Sequence, residues 1–169
     1  LGHAILTSEP LIGNQTFAVH LADDLCDTEG DSLLNQLVLL YKKFKCSIIA
    51  IEELPNNQLD KYGVIDGHLI NGTQDCYQVT NMLEKPHFKN APSNLAIIGR
   101  YILTPDIFNI LRNLKPDQSG EIQITDALLE QAKKGKVVAL KFNGKRFDCG
   151  SIKGYLEAIN YFADKEGVI

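Results

Sequence analysis

No stretch of this 169-residue chain is apolar for long enough to span a bilayer, and its first residues carry no basic-then-apolar signal. A membrane partner is therefore not expected. Positive charge is also scarce: 17 Lys and Arg against 21 Asp and Glu leave a net charge of −4, with a pI near 5.5. That balance excludes a general affinity for nucleic acid or anionic lipid, so any phosphate must be met locally, by Lys85 and by Arg100 or Lys145. The four cysteines, Cys26, Cys46, Cys76 and Cys149, show no C-x-x-C spacing. They read as reduced thiols of a cytoplasmic protein, against a zinc site or a disulfide framework. His3, His20, His68 and His87 show no pattern of a triad or a metal cluster, which leaves them structural or surface roles. Repeats, low-complexity segments and linkers are missing too. With 44% hydrophobic residues, residues 1–169 are expected to form a single domain around one core.

What is present alternates as an α/β sheet requires. Phe17-Ala18-Val19-His20-Leu21 reads as a buried parallel strand with Asp23 and Asp24 just past its carboxyl end, where ligands bind in open α/β sheets. Asp31-Ser32 can cap a helix striped by Leu33, Leu37, Leu40, Tyr41 and Phe44. Strands follow at 47–54, 63–66, 68–70, 78–83, 95–103 and 137–142, with turns at Gly67 and Asn71-Gly72. Helices are expected from Thr104-Pro105-Asp106, from Glu121 to Lys134, and from Ser151 to Asp164. Ile152, Tyr155, Leu156, Ile159 and Phe162 share one face of the last, and core packing is the plain expectation for the aromatic residues of these helices.

Glu84-Lys85-Pro86 puts an acid beside a base at the end of a strand. A carboxylate accepts hydrogen bonds from sugar hydroxyls, and a lysine is a compact charge for a phosphate. Pro86 has no N–H and biases Lys85 toward extended backbone, ending the strand there. Asp148, in Phe147-Asp148-Cys149-Gly150, is a second carboxylate at an element boundary. Read singly, each Asp is a helix cap or turn residue. Read as a pair, Asp23 and Asp148 suit a hard, oxygen-ligated cation such as Mg²⁺.

In order along the chain come Leu1-Gly2-His3-Ala4, Leu21-Ala22-Asp23-Asp24, Tyr62-Gly63-Val64-Ile65-Asp66, Glu84-Lys85-Pro86, residues 92–101 (Pro92-Ser93-Asn94-Leu95-Ala96-Ile97-Ile98-Gly99-Arg100-Tyr101), residues 120–127 and Phe147-Asp148-Cys149-Gly150. This succession resembles the bacterial UTP–glucose-1-phosphate uridylyltransferase family. The resemblance implies an α/β fold with a mixed, mostly parallel sheet flanked by helices, the Rossmann-like fold of nucleotide-diphospho-sugar transferases. It implies nucleotidyl transfer from UTP to glucose 1-phosphate with Mg²⁺, and assembly as a homo-oligomer. By the same resemblance Asp23 and Asp148 are metal ligands, with Asp24 open as the alternative to Asp23. Lys85 meets the sugar phosphate and Glu84 the glucose hydroxyls. Gly63 lets the sugar approach the backbone, Asn94 and Ile97 line the sugar pocket, and Gly2 belongs to the uracil-binding loop.

The glycine-rich segment that cradles nucleotide phosphates in that family is not among these residues. The expected identity is therefore the C-terminal part of such an enzyme, truncated at the N-terminus and inactive by itself. The alternatives are a non-enzymatic oligomerisation fragment, another sugar-1-phosphate nucleotidyltransferase, and a glycosyltransferase using Ala22-Asp23-Asp24 as its metal motif. Glu84-Lys85-Pro86 and Phe147-Asp148-Cys149-Gly150 argue against the last.

Overall fold

The computed structural model describes residues 1–168. Short helices α1 (Gly2–Thr7) and α2 (Glu9–Ile12) lead into strands β1 (Phe17–His20) and β2 (Asp24–Asp27), helix α3 (Leu33–Phe44) and strand β3 (Ser47–Glu53). A 3₁₀ turn (Asn56–Lys61) precedes β4 (Gly63–Leu69) and β5 (Cys76–Glu84). Then come β6 (Leu95–Leu103), α4 (Asp106–Asn113), α5 (Ile124–Ala132), β7 (Val137–Lys141), β8 (Lys145–Asp148) and α6 (Ile152–Lys165).

The centre of the main sheet is dictated by composition. Ile48-Ile49-Ala50-Ile51 is apolar at every position and buried at every position, as a strand covered on both faces must be. Alternate side chains face opposite ways. Ile49 and Ile51 join a core with Leu103, Phe108, Leu111 and Leu128, under α4 and α5. Ile48 and Ala50 join Leu33, Leu37, Ile98 and Ile102 under α3. Each fully buried Leu or Ile of these layers contributes about 1.5–3 kcal/mol by leaving water. Helix α3 starts as its sequence directs, with Ser32 accepting a hydrogen bond from the Asn35 N–H (3.3 Å).

The strand order is β1-β6-β3-β7-β5-β4, with a further contact of β4 on β6 at Val64–Ala96. The expected α/β fold with a mixed sheet flanked by helices is observed. Its parallel share is smaller than expected: among the described residues only β3 and β7 run parallel, and the other pairings are antiparallel. Strand β1 departs most clearly. It is an antiparallel edge strand on β6, with Phe17 opposite Leu103 and His20 opposite Arg100, and its residues alternate between half-buried and exposed. With only one neighbour, four residues cannot be covered on both sides.

Three further differences have local causes. Gly67 is no turn: β4 continues through it with a register shift between Asp66 and Gly67, a bulge. The helix expected from Glu121 begins at Ile124, because the Asp117 carboxylate gathers the Ser119 N–H and hydroxyl, the Glu121 N–H and the Gln123 amide. Those bonds hold Asp117 well below the usual carboxylate range, Ser119 first and Gln123 next. Finally, α6 does not bury its apolar stripe. Ile152 is 82% exposed and Tyr155 55%, whereas Gly154 and Ala158 form the buried face. Gly154 sits so close to β8 that a Cβ there would overlap the Asp148 carbonyl oxygen, and this contact decides which side of α6 turns inward.

Outside the main sheet, β2 and β8 form a two-stranded antiparallel ribbon in which Asp24 stands opposite Asp148. Ser151 caps α6 immediately after it, accepting from the Gly154 N–H at 3.0 Å.

Candidate active site

The ribbon, the start of β4, the end of β5 and the start of α5 enclose a cavity of about 300 Å³. Of the residues singled out from the sequence, Asp23, Asp24, Gly63, Glu84, Lys85, Ile97 and Asp148 line it. Asp23 and Asp148 approach each other there. The Cys149 N–H donates to the Asp23 carbonyl oxygen (2.7 Å), and Asp148 Oδ1 and Asp23 Oδ2 lie 3.1 and 3.3 Å from the position a Cβ on Gly150 would take. Two hard carboxylate oxygens facing one point fit a divalent, oxygen-ligated cation. Among the described residues no group of three or more His, Cys, Asp or Glu could hold a metal, so the remaining ligands of such an ion would have to come from outside these side chains, as water or a bound anion. The two carboxylates converge on the β2–β8 ribbon, beside the main sheet and not on its edge.

Asp24 is committed elsewhere. It is 5% exposed and accepts from Arg146 Nε (2.7 Å) and Nη2 (3.1 Å) and from the Gly99 N–H (2.7 Å). Both residues of the adjacent pair line the cavity, but the Asp24 carboxylate is held by these bonds, and it is Asp23 Oδ2 that shares a point with Asp148 Oδ1. The pair Arg146–Asp24 is enclosed, each side chain 7% exposed. Burial opposes the charge on Arg146, but the hydrogen bond and charge of Asp24 outweigh it and raise its pKa. Arg146 also reaches Glu52 (3.3 Å) and lies over the Tyr62 ring, 4.9 Å from its centroid. The Tyr62 hydroxyl in turn donates to Asp148 Oδ2 at 2.5 Å. Burial first, and then that bond, push the phenol pKa up, so it remains a donor.

On the opposite wall, Thr125 donates to Glu84 Oε2 and Lys85 Nζ stands 4.0 Å from Glu84 Oε1. Gly63 pairs with Glu84 across the β4–β5 ladder. A Cβ on Gly63 would come within 3.1 Å of Ile97 Cδ1 and of Thr125 Oγ1, and 3.2 Å of Glu84 Oε2. Only glycine keeps that corner open.

Lys85 is not extended. Its φ is +42°, in the left-handed region, because its N–H turns back to the Tyr62 carbonyl (3.0 Å) while Pro86 lets the chain leave without a donor. A non-glycine residue held there stores about 1–3 kcal/mol. Lys85→Gly is therefore expected to unfold at a higher urea concentration than Lys85→Ala, by about 1 kcal/mol of stability; equal stabilities would show that the backbone is unstrained.

Four of the residues singled out from the sequence are not among those lining this cavity. Asn94 does not line the cavity: its amide donates to Glu53 Oε1 (3.0 Å) and its carbonyl accepts from Leu54. Gly2 is buried at the start of α1, its N–H on the Ile122 carbonyl (2.9 Å), and Leu1 is its neighbour that reaches the cavity. Arg100 is no free phosphate ligand, since its guanidinium donates to the carbonyls of Leu21, Gly99 and Asp24. Lys145 lies over the Tyr161 ring, 4.2 Å away. Conversely, local sequence gives no role to Tyr62, Thr125 or Arg146, although Tyr62 and Thr125 stand inside the motifs Tyr62–Asp66 and 120–127 and Arg146 directly precedes Phe147-Asp148-Cys149-Gly150.

The family model for nucleotidyl transferases matches residues 1–165. A Pseudomonas aeruginosa UTP–glucose-1-phosphate uridylyltransferase is 60% identical over 95% of this chain and 57% of its own length; one from Staphylococcus epidermidis is 40% identical over 98% and 57%. This chain thus spans a little over half the length of these curated relatives. A crystal structure of UDP-glucose pyrophosphorylase complexed with UDP-glucose superposes with a TM-score of 0.93 at 55% identity, over 98% of this chain and 62% of that one. The UTP-bound enzyme of Acinetobacter baumannii gives 0.83 at 34% identity, over 96% and 55%. A match that leaves only the last few residues aside makes the chain a member of the nucleotidyl transferase family.

Proposed function

We propose that this chain carries the sugar- and metal-binding part of a UTP–glucose-1-phosphate uridylyltransferase, a cytoplasmic enzyme that makes UDP-glucose and pyrophosphate. One observation carries the reading: a carboxylate pair, Asp23 and Asp148, faces the Glu84–Lys85 pair across a single cavity. In the reaction a phosphate oxygen of glucose 1-phosphate attacks the α-phosphorus of UTP, the bond to the β-phosphate bridging oxygen breaks, and pyrophosphate leaves with that electron pair. Several anionic oxygens must be brought together, so positioning and charge neutralisation carry the rate. Lys85 neutralises the sugar phosphate. Glu84, held by Thr125, accepts hydrogen bonds from glucose hydroxyls, and Gly63 and Ile97 shape the wall the sugar rests on. Asp23 and Asp148 would hold Mg²⁺, which when bound offsets the charge of the phosphates. The reading does not depend on a thiolate: partial burial, with Asp148, Asp24 and Asp23 nearby, raises the Cys149 pKa.

A second reading, an oligomerisation module without chemistry, is favoured by the exposed apolar face of α6. Homo-oligomerisation is compatible with both. The discriminating experiment is a fusion of this chain to the N-terminal part of the P. aeruginosa relative, assayed for pyrophosphate release with UTP, glucose 1-phosphate and Mg²⁺. The fusion is expected to turn over and the 169-residue chain alone is not, because preorganised phosphate donors commonly contribute about a hundredfold or more each. A folded but inactive fusion defeats the enzyme reading; ordinary turnover by the chain alone shows that the nucleotide site is misplaced. Other nucleoside triphosphates and sugar 1-phosphates in the same assay decide base and sugar specificity.

A further inference from the structure

Tyr62 touches both walls of the cavity. Its carbonyl accepts the Lys85 N–H at 3.0 Å, its hydroxyl donates to Asp148 Oδ2 at 2.5 Å, and its ring is covered by Arg146 at 4.9 Å. Arg146 is itself fixed by Asp24 and Glu52. The other oxygen of Asp148, Oδ1, accepts the Gly150 N–H at 3.1 Å and faces the same point as Asp23 Oδ2. The phenol therefore helps fix the plane of the Asp148 carboxylate, with one oxygen on Tyr62 and the other turned toward Asp23, and the same residue's backbone sets where Lys85 begins.

We propose that Tyr62 is a positioning residue, fixing Asp148 in its cation-binding orientation and in register with Lys85; this rests on the metal role proposed for Asp148. Groups that hydrogen-bond a metal-binding carboxylate orient it, and their removal commonly weakens metal affinity about 10–100-fold. Tyr62→Phe deletes the donor and keeps both the ring under Arg146 and the backbone bond to Lys85.

The test is Mn²⁺ binding to the 169-residue chain, read from the electron paramagnetic resonance signal of free Mn²⁺, with a thermal melt of every variant. Asp148→Asn is expected to lose binding. Tyr62→Phe is expected to bind about tenfold more weakly, to saturate at higher Mn²⁺, and to melt within a few degrees of the unaltered chain. Unchanged affinity in Tyr62→Phe overturns the positioning role while leaving the metal site intact. Loss of cooperative melting in that variant makes the phenol a structural requirement and also ends the proposal. If Asp148→Asn binds as the unaltered chain does, or the unaltered chain binds no Mn²⁺, the metal role of Asp148 fails first.

Discussion

Arg146→Ala is expected to lower the unfolding free energy by about 3–5 kcal/mol, because it strands the Asp24 carboxylate in the interior. The other bonds to that carboxylate survive, including the Gly99 N–H at 2.7 Å, but they replace neither the charge nor the two donors of the guanidinium. Urea unfolding of both proteins measures the loss. A penalty under about 1 kcal/mol would show that Asp24 is less enclosed than the structure has it.

Lys85→Ala, in the fusion described above, is expected to reduce turnover about a hundredfold to a thousandfold with little change in the melting temperature. The side chain is 57% exposed and its ion pair with Glu84 stands at the outer limit, 4.0 Å, so its removal subtracts almost nothing from stability. Its charge matters where negative charge is concentrated, in the transition state. A variant that melts early but keeps normal turnover per folded molecule would make Lys85 structural.

Both experiments concern residues that differ in how far local sequence reveals them. Glu84 and Lys85 stand out because a proline closes their strand, Asp23 because it follows an apolar run, and Asp148 because it stands at an element boundary in Phe147-Asp148-Cys149-Gly150; punctuation of this kind is local and survives in the sequence. The buried faces of β3, β7 and α3 are legible for the same reason, as hydrophobic period. Strand direction is not: the run from Phe17 to Leu21 looks the same parallel or antiparallel, and only the contact with β6 decides. Nor is the face of α6 that packs, since the contact of Gly154 with Asp148 overrides a larger apolar stripe. The support of the site lies furthest from view. Tyr62 and Asp148 are 86 residues apart, and nothing in either neighbourhood names the other. The left-handed Lys85 depends likewise on a distant carbonyl, that of Tyr62 just before β4.

The β2–β8 ribbon has a further consequence, in the order of folding. Asp24 and Arg146 are 122 residues apart, and closing a loop of that length from an open chain costs on the order of 4 kcal/mol of chain entropy, much of which is already lost once β1 has paired with β6 and β3 with β7. The sheet and its two hydrophobic layers can assemble before the ribbon closes, whereas the carboxylates of Asp23 and Asp148 meet only after it has. Whatever binds between them is bound by the completed chain alone, and by mass action it draws the last step of folding toward completion.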